Sequence, residues 1–78
     1  MSEIQDVPVR LPVKLGQFLK LSGLVDSGSE ASDLIASGGV DVDGELETRR
    51  GRQLHGGEIV TVTTDAWEAR GRVVDASA

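Results

Sequence analysis

With 78 residues, a formal net charge of -5 and no cysteine, the chain has room for one domain and one core. A core of this size buries only about 60% of the surface that the unfolded chain exposes, and neither a disulfide nor a thiolate-bound metal can reinforce it. The acidic start MSEIQDVPVR lacks the basic opening and apolar stretch of a secretory signal, and no apolar run approaches the roughly 20 residues needed to cross a bilayer; the composition leads us to expect a cytoplasmic protein with no membrane segment.

The chain shows no internal repeat and no low-complexity block. The expected organisation is an N-terminal extension over 1–12, a single domain over 13–74 and a disordered tail over 75–78. Val7 and Val9 alternate around Pro8 and could make an edge strand. In KLGQFLKLSGLV, Leu15, Phe18 and Leu19 fall at i, i+3 and i+4, one face of a helix, so a first helix is expected over about Lys14 to Ser22. Gly23 is placed to end it in the left-handed conformation, with Leu24 folding back.

A capping-box pattern, Ser27-Gly28-Ser29-Glu30, opens a second helix. Ala31, Leu34 and Ile35 give it an apolar face, and Gly38-Gly39 stops it. Helices this short need packing to persist. The period then changes to two: Val40 and Val42 alternate with Asp41 and Asp43, Asp43-Gly44 signals a hairpin, and Leu46 begins the return strand. From Thr48 to His55 apolar periodicity is lost and positive charge gathers in Arg49, Arg50 and Arg52. Gly56-Gly57 turns into the β-branched run IVTVTT, with which Trp67 to Val74 could pair. Trp67 and Val73 are expected in the core, and Arg70 and Arg72 in solvent. The fold class expected is α+β: a helical hairpin packed on a small, mostly antiparallel sheet.

In their order and spacing, KLGQFLKLSGLV, SGSEASDLIASGGV, VDVDGELETRR and GGEIVTV resemble the RNA-binding domain named after ribosomal small-subunit protein four, the S-four domain, which carries the alpha-L RNA-binding motif. The resemblance covers roughly Val13 to Val62. The ETRR stretch and the short chain are similar to the stand-alone bacterial members described as ribosome-associated. It implies binding to structured RNA, ribosomal RNA or the ribosome above all, with no catalysis and no cofactor. The RNA-facing surface maps onto Lys14, Gln17 and Lys20 near helix one and onto Arg49, Arg50 and Arg52 in the β-connection. The second helix departs from the family pattern, with Ser27, Gly28, Ser29, Glu30 and Asp33 where arginine or lysine is common.

The net acidity weighs against a nucleic-acid partner. Screening over about 8 Å at physiological salt nevertheless lets a basic patch act apart from acids on another face. An arginine has five donors in a planar fork and holds phosphate bidentately. The bland alternative pairs these arginines with Glu45, Glu47 or Glu58, each pair worth about 0–1 kcal/mol. Lys14 and Lys20 are separated by about 240° of helical azimuth and would flank the helix. With Phe18 and Trp67 assigned to the core, rings for stacking on bases are lacking, so recognition by shape and phosphate is expected. His55 reads as a turn residue. Asp41, Asp43 and Glu45 lack the offsets of a calcium loop, and no nucleophile-base pair or metal-ligand set is present. A monomer is expected. The rival function is an adaptor that docks a basic protein through Asp26, Glu30, Asp33, Asp41 and Asp43.

Overall fold

The structure is a computed structural model and describes residues 3–76. In chain order the elements are β1 (Ile4–Val9), β2 (Val13–Lys14), α1 (Leu15–Leu21), α2 (Gly28–Ala36), β3 (Val40–Val42), β4 (Glu45–Leu46), β5 (Gln53–Leu54), β6 (Ile59–Thr63) and β7 (Glu68–Asp75). Five strands form one sheet in the order β1-β7-β6-β3-β4, and β2 and β5 make a separate two-stranded ladder. β1 runs parallel to β7, and every other pairing is antiparallel. This is the expected α+β arrangement of a helix pair on a mostly antiparallel sheet.

The alternation of apolar residues decides which side of the sheet the helices cover. Val7, Val9, Val40, Val42, Val60, Val62 and Val73 form one core cluster with Leu15, Phe18 and Leu19 of α1 and Ala31 and Ile35 of α2. Gly71 of β7 makes room for the phenyl ring of Phe18: a Cβ at this glycine would lie 3.3 Å from Phe18 Cζ and 3.4 Å from Val7 Cγ2. A side chain here would force Phe18 or Val7 to shift by a few tenths of an ångström.

The turns follow their residues. Gly23 takes a φ of +78° and its N–H donates to the carbonyl of Lys20 at 3.2 Å, so α1 ends in the left-handed conformation that glycine adopts without a Cβ penalty. Asp43 and Gly44 have φ of +52° and +83°, the backbone of a type I′ hairpin turn. The Asp43 carboxylate also accepts the Ile59 N–H at 2.9 Å, bracing the turn against β6. Ser27 caps α2, its hydroxyl accepting the N–H of Glu30 at 3.2 Å. Ser27→Ala leaves that donor to water and should cost about 1 kcal/mol, read from the urea midpoint at unchanged slope.

Three expectations are corrected. Trp67 is 40% exposed and not part of the core. It lies in the turn before β7, where Thr64 Oγ1 accepts the N–H groups of Ala66 and Trp67 at 3.2 and 3.0 Å. Asp75, assigned to the tail, is the last residue of β7, paired with Val9, and the Ala76 N–H donates to the Val9 carbonyl at 2.9 Å. The rest of the tail, residues 77–78, lies outside the described residues, as do residues 1–2. The irregular Thr48 to His55 stretch contains β5, whose Leu54 is fully buried; a two-residue strand is too short for alternation to reveal it.

Candidate nucleic-acid interface

α1 has no side chain capping its N-terminus, so its first N–H groups need other acceptors. The arginine-bearing connection supplies them: Leu15 N–H donates to the Arg52 carbonyl at 2.8 Å and Gly16 N–H to the Arg50 carbonyl at 3.0 Å. Pairing of Lys14 with Gln53 and of Val13 with Leu54 extends this docking. The loop is therefore fastened by its backbone to the start of the helix, leaving its side chains to project.

Lys14, Gly16, Gln17 and Lys20 line one wall of an open groove of about 340 Å³, Gly28 and Ser32 of α2 line another, and Arg50 and Gly51 of the loop complete it. Four of the six residues expected at the surface, Lys14, Gln17, Lys20 and Arg50, thus surround one groove. The azimuth argument that separated the two lysines does not apply, because Lys14 precedes the helix as its cap residue, with extended backbone. α2, poor in cations, contributes small residues that keep the groove open. Ser32 Oγ accepts from Arg50 Nη1 at 3.2 Å. Lys14, Lys20 and Arg50 form no ion pair with a carboxylate among the described residues, so their charge is not cancelled by a direct partner.

Arg49 and Arg52 sit on the other side of Gly51, lining a second concavity with Gln53 and His55. Both pair with Glu47: Arg49 Nε lies 3.2 Å from Oε2 and Arg52 Nη1 3.1 Å from Oε1. The bland reading therefore describes these two arginines, and Arg50 escapes it. Glu47 is 5% exposed, and its carboxylate also accepts the backbone N–H groups of Thr48 and Arg49, each at 3.1 Å. In the sequence Glu47 stands out only as one of three possible partners of these arginines. Its spacing, two residues before Arg49 and five before Arg52, was the available signal, but burial after an exposed Leu46 was not legible.

The hydrogen bond from the Arg49 side chain lowers the Glu47 pKa most; burial opposes it, and further bonds from the Arg49 backbone and Arg52 bring the value down from 4.5 to about 2. The same hydrogen bond raises the pKa of Arg49. A carboxylate with a depressed folded-state pKa stabilises the fold fully above its unfolded value and loses that contribution as protons bind. Stability should therefore fall as pH drops from 4.5 towards about 2. Urea titrations across this window should show a flatter pH dependence for Glu47→Gln than for the wild type.

Glu58 shapes the neighbouring turn, accepting the N–H groups of His55 at 2.8 Å and Gly56 at 2.7 Å. Burial disfavours its charge, yet the bonds from His55, its own N–H and Gly56 together hold its pKa below the ordinary value. Among the described residues no helix is long and apolar enough to cross a membrane.

The family model described as "S4 domain" matches residues 9–69, well over half of the chain. The Bacillus subtilis protein named "Probable ribosome maturation protein RlbA" is 40% identical over 50 residues, which are 64% of this chain and 70% of that protein. The Escherichia coli K12 protein named "Putative RNA-binding protein YbcJ" is 43% identical over 49 residues, covering 63% of this chain and 70% of that protein. A "Tyrosine--tRNA ligase" of Burkholderia lata is 45% identical over 49 residues, 63% of this chain but 12% of the ligase, so the likeness reaches only a small part of that enzyme. With the matched segment spanning the helix pair, the arginine loop and β6, and short relatives aligned over most of their length, the chain belongs to the S4 domain family.

Proposed function

We propose that this protein binds structured RNA, ribosomal RNA above all, as a non-catalytic monomer in the cytoplasm. The observation that carries the reading is the convergence of Lys14, Gln17, Lys20 and Arg50 on one open groove within an S4 domain, beside a second concavity bearing Arg49 and Arg52. Lysine ammonium and arginine guanidinium groups neutralise phosphates and release their counterions. The net charge of -5 is compatible with this, because no carboxylate lines the groove and acids farther off than a Debye length are screened. The names borne by RlbA and YbcJ point the same way.

The groove offers no ring on which a base could stack: Phe18 is fully buried, and the exposed Trp67 does not line it. Binding should follow the shape and phosphates of a folded RNA instead of the sequence of a single strand. Titration with a folded ribosomal RNA fragment and with an unstructured strand of equal length and composition tests this. Preference for the folded fragment is expected; equal weak binding to both would overturn the reading and make a basic protein docked on the acidic face of Asp26, Glu30, Asp33, Asp41 and Asp43 the better account.

A further inference from the structure

Arg49 and Arg52 approach each other through one carboxylate. Glu47 Oε1 accepts from Arg49 Nη2 at 3.4 Å and from Arg52 Nη1 at 3.1 Å, while Oε2 accepts from Arg49 Nε at 3.2 Å. The carboxylate is itself fixed by the N–H groups of Thr48 and Arg49 and buried among these partners. Two guanidinium groups brought this close repel each other unless an anion lies between them. Each has five donors, so Glu47 leaves several on both side chains unused. The Arg49 side chain is 78% exposed, and both arginines border the concavity with Gly51, Gln53 and His55.

We infer that Glu47 is a positioning residue that holds Arg49 and Arg52 as a preformed fork for one phosphate-bearing strand of the RNA. The inference rests on the RNA-binding reading above. It assigns a buried acid a favourable part in binding a polyanion, opposite in sign to its charge. Free arginines must surrender rotamer freedom when they grip a phosphate, and each immobilised side chain costs affinity. Here Glu47 has already fixed their geometry. Arg50, which Glu47 does not touch, serves the groove on the other side of Gly51, so the loop presents cations to both sides of one glycine.

Two substitutions separate geometry from charge. Glu47→Gln keeps the shape but removes the charge, and Glu47→Asp keeps the charge but withdraws it by one methylene. If Glu47 merely offsets positive charge, the Gln variant binds a folded ribosomal RNA fragment more tightly than wild type and the Asp variant binds equally. If it positions the arginines, both bind about 5- to 150-fold more weakly, as loosening two side chains implies. In an Arg49→Ala, Arg52→Ala background the Glu47 changes should then have no further effect, because the coupled partners are gone. Tighter binding by the Gln variant overturns the inference. Absence of salt-dependent binding by the wild type overturns the RNA reading first, and this inference with it. Should both variants fail to fold, NMR relaxation of the Arg49 Nε–H in the wild-type protein decides: a rigid side chain supports the fork, and one tumbling freely contradicts it.

Discussion

Phe18→Ala should remove about 3–5 kcal/mol of folding stability, a large share of the about 4–12 kcal/mol that a domain of this length possesses at about 0.05–0.15 kcal/mol per residue. Phe18 is fully buried and heads the largest enclosed side chains. Its ring rests over Gly71 and beside Val7, so directly beneath it the strand has no side chain that could close the cavity. The transfer and cavity contributions therefore add. Leu21→Ala on the same helix is the control: Leu21 is 64% exposed, and its loss should change stability by less than about 0.5 kcal/mol. Urea unfolding followed by far-UV circular dichroism measures both. A Phe18→Ala variant as stable as Leu21→Ala would contradict the packing of helix on sheet described here.

Lys20→Glu combined with Arg50→Glu should weaken binding to folded ribosomal RNA by at least about 30-fold near physiological salt. Loss of two phosphate contacts accounts for about 1.5 log units by counterion release, before any repulsion by the new carboxylates. These positions suit the test because both line the groove and neither is held in an ion pair with a described carboxylate. Reversing them leaves the Glu47 cluster intact. The fold should lose less than about 1 kcal/mol, chiefly from an acid in the last turn of α1. Retained affinity in a folded double variant would place the RNA elsewhere on the molecule.

The elements with the strongest local signals were legible in the sequence. Leu15, Phe18 and Leu19 marked the buried face of α1, Ser27 its neighbour's cap, Asp43-Gly44 the hairpin and IVTVTT a strand. Each depends on residues close in sequence. The two-residue pairing of β2 with β5 was hidden because its partners, Val13 with Leu54 and Lys14 with Gln53, are far apart and too few to show a period. Trp67 misled because a large apolar ring is expected inside, whereas the Thr64 turn carries it to the surface.

The candidate site was legible as residue types but not as an arrangement. Lys14, Gln17, Lys20 and Arg50 could be named from the resemblance, yet their meeting around one groove depends on the Arg50 and Arg52 carbonyls bonding to the start of α1. Backbone docking of this kind leaves no trace in side-chain identity. The division of the arginines between Arg50, bonded to Ser32, and a pair held by Glu47 was equally invisible, since ETRR reads the same whether its glutamate is exposed or buried.

The most direct measurement is the salt dependence of binding to a folded ribosomal RNA fragment, compared between the wild type and a variant with Arg49, Arg50 and Arg52 changed to alanine and shown to be folded. The account predicts that wild-type affinity falls steeply with salt. The variant should lose most of the affinity, and its log-log slope should be shallower by about 0.7–0.9 for each phosphate contact removed. Equal affinities and equal slopes for the two proteins would contradict it.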